Sequence, residues 1–308
     1  MVPSVLVTEP VHEEALALLR DAGWSVRMAG AQLDPADALL VRVRPVSDSE
    51  VGLFRMIAKH GVGVDNIAME AARAAGIAVM NTPGANAGAV AEQALMLMLA
   101  LARDLPAQMA AAAAGTSAPR VTGLEGRRLL VLGYGASGAR LCHLARALGM
   151  AVTVLTRRPD AARAEGYAIA TDPDSALGVA DVVSLHCPLS ESTRGLLSAQ
   201  RLAALPKGAL IVNCARGGLI DMAALAAGLV SGHLGGAGLD VTDPEPLPPD
   251  HPLRQAPRLI LTPHAAAMSE GAFRRMGMMA AQNILDHFAG RPDPAHLLVP
   301  GGLPSFSV

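Results

Sequence analysis

Cysteine, aromatic residues and excess charge are all scarce in this chain of 308 residues, and each scarcity excludes a class of protein. Cys142, Cys187 and Cys214 are too scattered for a zinc motif and odd in number, so no metal site and no disulfide framework is expected, only reduced thiols. A formal charge of −2 supplies no basic footprint for nucleic acid and no polybasic membrane anchor. The start, Met1-Val2-Pro3-Ser4, runs straight into Val5-Leu6-Val7 without a basic region or a cleavable apolar core, which predicts a cytoplasmic chain. The longest apolar stretch, 85–101, contains Glu92 and Gln93, against a membrane span.

What is abundant is aliphatic. Hydrophobic residues make up 51% with only 17% charged, and aromatics are 2%, a balance that fits helices packed on buried parallel strands. The length suits about two domains. The first eighty residues alternate strand and helix signals: Val5–Val7, a helix over His12–Ala22 stopped by Gly23, short apolar runs at 24–28, 38–41 and 56–58, then a helix over Ile67–Ala75 ending at Gly76 before Ile77–Met80. A long helix is predicted from about Ala85 to Leu105. Its stripe of Leu95, Met96, Met98 and Leu99 is too apolar for one exposed face, which predicts burial between domains and a dimer contact. A second α/β set has strands at 127–132, 151–155, 182–185, 209–212, 237–239 and 259–261, followed by a helix over Ser269–Phe288 and a Pro/Gly-rich tail, Gly290–Val308.

Within that second set, Gly133-Tyr134-Gly135-Ala136-Ser137-Gly138 follows an apolar strand and opens a helical pattern over Ala139–Gly149. That is a βαβ unit with a phosphate-binding turn: Gly133 for the tight turn, Gly135 for close approach of a pyrophosphate, Gly138 for helix–strand packing. The polar and ionisable residues of this half cluster just past its strands, at Thr156-Arg157-Arg158, His186-Cys187-Pro188, Asn213-Cys214-Ala215-Arg216, Asp240 and Pro263-His264. Ligands of open parallel sheets bind at that edge. Arg216 suits bidentate capture of a carboxylate and polarisation of an adjacent carbonyl, His264 suits proton transfer to a developing alkoxide, and Glu245 suits orienting and charging His264. His186 reads as a structural neighbour of the cofactor.

These motifs make the chain resemble the D-isomer-specific 2-hydroxyacid dehydrogenases over almost its whole length. The resemblance rests on Lys59-His60-Gly61-Val62-Gly63-Val64-Asp65-Asn66-Ile67, on Asn81-Thr82-Pro83-Gly84-Ala85-Asn86 through Glu92, on 213–221, on Gly238-Leu239-Asp240-Val241 with Glu245-Pro246, and on Thr262-Pro263-His264. It implies an α/β protein: a Rossmann doubly wound parallel sheet at 84–285, plus a smaller flavodoxin-like α/β substrate domain formed by both termini, 1–83 and 286–308, in a homodimer. It implies that Arg216 and His264 bind substrate as well as act on it, that backbone N–H groups at Val62 and Gly63 hold the carboxylate, and that Asp240 binds the nicotinamide carboxamide. Gly133, Gly135, Ala136, Ser137, Gly138, Cys187, Pro188, Cys214, Ala215 and Ala266 are the expected cofactor contacts. Formate dehydrogenases share the fold but carry Gln where Glu245 stands, which points to a 2-hydroxy acid.

The second strand of the βαβ unit is followed by Thr156-Arg157-Arg158 rather than by the carboxylate that holds an NAD ribose, so NADP(H) is expected to be preferred over NAD(H). Two features depart from the family pattern: 48–55 leaves little room for a helix, and three alanines, 265–267, follow His264. Arg42, Arg44, Lys59 and His60 are either receptors for a second anion or solvated charges. The first expectation is a small 2-oxo acid such as glyoxylate or hydroxypyruvate. A D-3-phosphoglycerate-type dehydrogenase is the alternative, and a non-enzymatic, nucleotide-binding corepressor is the rival from another class.

Overall fold

A computed structural model describes residues 2–301. The chain divides into two compact units: one reaches Asn86 and resumes at Met268, the other is Ala87–Ala267. The helix Glu270–Phe288, placed with the nucleotide domain by the sequence boundary at 285/286, belongs to the first unit. There it packs on the helix Glu13–Asp21, where Gly277 comes close to Ala15 and Arg274 grips the Glu14 carboxylate with Nε and Nη2.

The first unit is built on a sheet in the order Leu297–Val299, Ala78–Met80, Met56–Lys59, Ala38–Val41, Ser4–Val7, Ser25–Met28. All pairings are parallel except that of Leu297–Val299 with Ala78–Met80. Leaving out that edge strand, the chain order is 2-1-3-4-5, the flavodoxin-like winding, with its switch point between Ser4–Val7 and Ala38–Val41. Central strands such as Ala38–Val41 and Met56–Lys59 are buried at every residue, because helices cover both faces. The tail therefore contains a strand that its composition did not announce; three residues are too few to show a period, and 302–308 lie outside the described residues.

The second unit carries a parallel sheet in the order Leu259–Leu261, Leu234–Leu239, Ala209–Asn213, Val182–Leu185, Arg128–Leu132, Ala151–Leu155, Ala168–Ile169. Counting from Arg128–Leu132, this is the doubly wound Rossmann order 3-2-1-4-5-6 with one strand added, and the switch point lies between Arg128–Leu132 and Val182–Leu185. Aliphatic clusters fill both faces, one around Ile211, Leu225 and Leu239, the other around Leu97, Leu129 and Val212.

The long helix expected over 85–105 is two helices, Ala87–Ala102 and Leu105–Ala114, bent at Asp104, whose φ is +48°. Leu97 and Leu101 of the first lie against Gly238 and Gly236, where a Cβ would come within 2.9 and 3.0 Å of them. The stripe is thus split: Met98 is buried, with Leu97 and Leu101, inside the helix's own unit, whereas Met96, Leu99, Leu105 and Met109 are exposed. Among the described residues no single helix is long and apolar enough to cross a membrane; the bent pair meets that measure by length and composition alone. The tight segment 48–55 holds one helical turn, Asp48–Val51, closed by Glu50, whose carboxylate accepts from the Ser47 N–H at 2.9 Å and hydroxyl at 2.8 Å.

At the switch point of the first unit, Glu9 accepts the backbone N–H groups of Arg42, Val43 and Arg44 at 2.9, 3.0 and 2.5 Å. Partial burial opposes ionisation of Glu9, but its hydrogen bonds from Thr8 and these three N–H groups prevail and hold the carboxyl below its ordinary 4.5. The contribution of such a depressed carboxylate is complete above the ordinary value and disappears as pH falls through the lowered one. Glu9→Gln is expected to lose about 1–2 kcal/mol at pH 7. Denaturant titrations should show the gap between variant and wild type closing below about pH 4; a gap that persists unchanged at pH 3 would refute the assignment.

Candidate active site

The phosphate turn is shaped by two glycines that no other residue can replace without displacement. Gly133 has φ +108°, and a Cβ there would lie 2.7 Å from the His186 carbonyl; a Cβ on Gly138 would lie 2.2 Å from the Gly133 carbonyl oxygen. The helix consequently starts at Ala136, three residues before its periodic pattern, with Gly135 as N-cap and no side chain capping it. A Cβ on Gly135 would meet nothing within 4 Å, so open space stands over uncapped N–H groups at the positive end of the helix. That cradle fits the pyrophosphate of a dinucleotide. At the end of the next strand, Thr156 accepts the Arg158 N–H at 3.2 Å while Arg157 and Arg158 are exposed, and Asp160 pairs with Arg163.

The residues expected to do chemistry converge on two loops. Asn213, fully buried at the end of its strand, donates to the Arg216 carbonyl at 2.8 Å and accepts the Ala215 N–H at 3.0 Å, which fixes the backbone that presents Arg216. The Arg216 guanidinium donates to the Ala215 carbonyl at 2.7 Å. Gly217 then lets this loop press on the next: a Cβ there would lie 2.0 Å from the carbonyl carbon of Thr242, three residues before Glu245.

Glu245 Oε1 stands 2.6 Å from His264 Nδ1. Burial works against ionisation of Glu245, yet the hydrogen bond and charge of His264, helped by Arg216, keep its carboxyl below the ordinary value. With Nδ1 committed to Glu245, Nε2 is the nitrogen left for proton transfer. His264 sits at φ +52°, a region L side chains rarely adopt. Its own N–H donates to the Asp240 carbonyl at 2.9 Å, and the next two N–H groups, Ala265 and Ala266, donate to the Asp240 carboxylate at 2.8 Å each. Thr262 also donates to Asp240 and accepts from Gln93 at 3.0 Å. A cavity of about 480 Å³ is lined by Asp240, Thr242, Glu245, Thr262, Pro263 and His264.

Asp240 and Ala266, expected as cofactor contacts, therefore direct polar groups at each other. Asn213 and Thr262 stood in the sequence motifs without a role of their own, and Gln93 only as a polar break in the apolar stretch. An Asn closing a strand and a Thr before Pro-His are weak signals, and Gln93 gives none. Burial pushes the Cys187 and Cys214 thiols up, and Cys142 up to about 12, so all are protonated near neutrality.

In the first unit, Gly61 and Thr82 exchange two bonds of 3.0 Å, N–H to hydroxyl and N–H to carbonyl, and Asn81 donates to the Val62 carbonyl at 2.7 Å. These fix the peptides that carry the Val62 and Gly63 N–H groups. Of the candidate cations beside them, Lys59 is buried and donates to Arg42 O and to Asn66 at 2.6 Å. Burial pushes His60 down to about 4, and Arg44 binds Glu50 and the Ala31 carbonyl. Arg42 stacks on Phe273 and touches Met268 Sδ, with no carboxylate paired to it among the described residues.

Residues 95–266 match the model of the D-isomer specific 2-hydroxyacid dehydrogenase, NAD binding domain. The chain is 37% identical over 299 residues to D-3-phosphoglycerate dehydrogenase of Methanocaldococcus jannaschii, covering 91% of this chain and 56% of that protein. It is 32% identical over 302 residues to the Bacillus subtilis enzyme of the same name, covering 94% and 57%. The chain thus spans rather more than half the length of these relatives. Among solved structures it is similar to the TT0316 protein from Thermus thermophilus, with 37% identity, TM-score 0.86, and 96% and 100% coverage of the two chains. It is also similar to a glyoxylate reductase from Paecilomyes thermophila, with 27% identity, TM-score 0.84, and 96% and 97% coverage. With the matched model covering more than half of its length, the chain belongs to the D-isomer specific 2-hydroxyacid dehydrogenase family.

Proposed function

We propose that this protein is an oxidoreductase that interconverts a D-2-hydroxy acid and its 2-oxo acid. The observation that carries the proposal is the 2.6 Å His264–Glu245 pair, beside which Gly217 presses the Arg216 loop. A bound nicotinamide dinucleotide supplies or accepts the hydride. The Arg216 guanidinium binds the acid's carboxylate and draws electron density from the neighbouring carbonyl. His264 Nε2 gives a proton to the alkoxide oxygen during reduction and takes it back during oxidation. Glu245 holds the ring by Nδ1 and so leaves Nε2 to face the substrate oxygen.

The favoured substrate carries a second anionic group, as D-3-phosphoglycerate does. Arg42 supports this, as a guanidinium at the carboxyl edge of the first unit's sheet with an aromatic support and no paired carboxylate among the described residues; so do relatives that bear that enzyme's name. On the same unit, the Val62 and Gly63 N–H groups are offered to a carboxylate. A smaller acid such as glyoxylate, the first expectation from the sequence, is the second reading, favoured by the likeness to a glyoxylate reductase. For the cofactor we assign Thr156, Arg157 and Arg158 to a 2′-phosphate, hence NADP(H) over NAD(H). The exposed Met96, Leu99, Leu105 and Met109 suit contact with a second copy in a homodimer working in the cytoplasm.

A screen of 2-oxo and 2-hydroxy acids followed by nicotinamide absorbance tests the activity. Nucleotide binding without turnover of any acid would replace it by a binding function. His264→Ala should cut kcat by about 10²–10⁴-fold with nucleotide affinity retained. Glu245→Gln should lower kcat for reduction about tenfold or more with nucleotide affinity retained, because the carboxylate that orients the His264 ring is lost; an unchanged kcat would remove Glu245 from this role.

Arg42→Ala is expected to raise KM for 3-phosphoglycerate about tenfold or more while that for glyoxylate stays within about twofold. Equal changes for both acids would remove the second anion. Wild-type kcat/KM should be higher with NADPH than with NADH, and Thr156→Asp with Arg157→Ala should invert the order; a wild-type preference for NADH would overturn the assignment of the arginines.

A further inference from the structure

His186 is a residue the proposed chemistry does not use, yet it sits directly beneath the phosphate turn, at the switch point of the nucleotide sheet. Both ring nitrogens are engaged by hydroxyls: Nε2 stands 3.0 Å from Ser184 Oγ and Nδ1 stands 3.1 Å from Ser137 Oγ. Ser184 lies on the central strand Val182–Leu185 and is fully buried, whereas Ser137 is half-buried in the first turn of the helix Ala136–Ala147. The turn cannot lift away from the ring without loss of packing, because Gly133 and Gly138 meet His186 backbone and Cβ where their own Cβ atoms would be.

Polar bookkeeping gives this chain of three groups a direction. A buried hydroxyl proton needs an acceptor, and the only partner of Ser184 Oγ among the described residues is His186 Nε2. Nε2 must then carry the lone pair, so the proton of the neutral ring is on Nδ1. Nδ1–H donates to Ser137 Oγ, and the Ser137 hydroxyl proton is left without a partner among the described residues. The reverse orientation would leave the Ser184 hydroxyl buried with no acceptor. An imidazolium, with two donors, would do the same; burial pushes His186 down to about 4, so that form is scarce near neutrality.

We propose that Ser184, His186 and Ser137 form a directed hydrogen-bond relay that fixes the imidazole as its Nδ1–H tautomer and aims the Ser137 hydroxyl, as a donor, at a pyrophosphate oxygen of the dinucleotide. His186 is thereby a positioning residue, acting through Ser137 and not on the substrate. The proposal rests on the nucleotide role of the turn but not on which acid is turned over. It explains why a serine with a back-side donor occupies the first turn of an uncapped helix: with the Nδ1–H bond held by its oxygen, the hydroxyl keeps its own proton for a phosphate oxygen.

Two measurements on the whole chain decide it. Multiple-bond 15N–1H spectra of the histidine-labelled, nucleotide-free protein should show His186 neutral at pH 7 with its proton on Nδ1, and Ser184→Ala should mix the tautomers. A proton on Nε2 in the wild type would overturn the relay. By calorimetry, Ser137→Ala should weaken ADP-ribose binding about tenfold and leave adenosine competition unchanged. His186→Asn, whose amide can still donate to Ser137, should retain more ADP-ribose affinity than His186→Leu. Unaltered ADP-ribose affinity in Ser137→Ala, or a wild type that does not bind ADP-ribose, would also overturn it. Should the variants fail to fold, the wild-type spectrum still decides between the two tautomers. Wild-type binding of ADP-ribose without turnover of any acid would sink the proposed activity and leave the relay standing.

Discussion

One carboxylate sets the geometry of the second unit's chemistry. Asp240 is almost fully buried, and a buried charge must be matched by donors or it is expelled. Here the donors are the consecutive N–H groups of Ala265 and Ala266 together with the Thr262 hydroxyl, and the Asp240 carbonyl takes the His264 N–H as well. The chain between Thr262 and Ala266 has to wrap around that charge, and the wrapping turns His264 into a left-handed conformation that a free loop would abandon. The backbone orientation of His264 is thus enforced from behind, by the buried Asp240.

Close backbone approach is the second constraint, and it recurs in both halves of the nucleotide unit's edge. Gly138 brings the helix Ala136–Ala147 onto the turn at Gly133, and Gly217 brings the Arg216 loop onto Thr242–Asp243. In both places two peptide segments touch with no side chain between them. Side-chain contacts can be re-sorted by rotamer changes, but peptide-on-peptide contacts cannot, so relative positions there are held to fractions of an ångström. The Arg216 loop and the loop that carries Glu245 are accordingly parts of one rigid piece.

Much of this was legible in the residues, and the limits were physical. Arg216 and His264 stood out by type and by their places past strand ends, and the strand signals were strong because doubly covered strands are continuous apolar runs. Sequence patterning failed where structure is short or where tertiary contact decides. Leu297–Val299 and Ala168–Ile169 are too brief to show a period. The helix Ala136–Ala147 starts inside its own glycine turn, where propensity argues against helix. The break at Asp104 is followed by Pro106 in the first turn of the next helix, a signal that the apolar run around it masked. The cation cluster was ambiguous in the sequence because charge alone does not reveal a partner; packing engages Lys59 and Arg44 and leaves Arg42 on Phe273. Glu9, which organises that cluster, lies 33 residues and more from the N–H groups it holds, so no local pattern marks it.

The way Glu9 holds its loop separates shape from chemistry. Glu9 grips Arg42, Val43 and Arg44 by their N–H groups, and Lys59 and Asn66 grip the same segment by its carbonyls. Nothing in those bonds depends on the side chains at 42 or 43. The loop is a socket whose contour is set by residues outside it, so the groups displayed there can be exchanged while the backbone stays in place. A lineage with this arrangement can exchange the side chains at 42 and 43 without reopening the problem of how the domain folds.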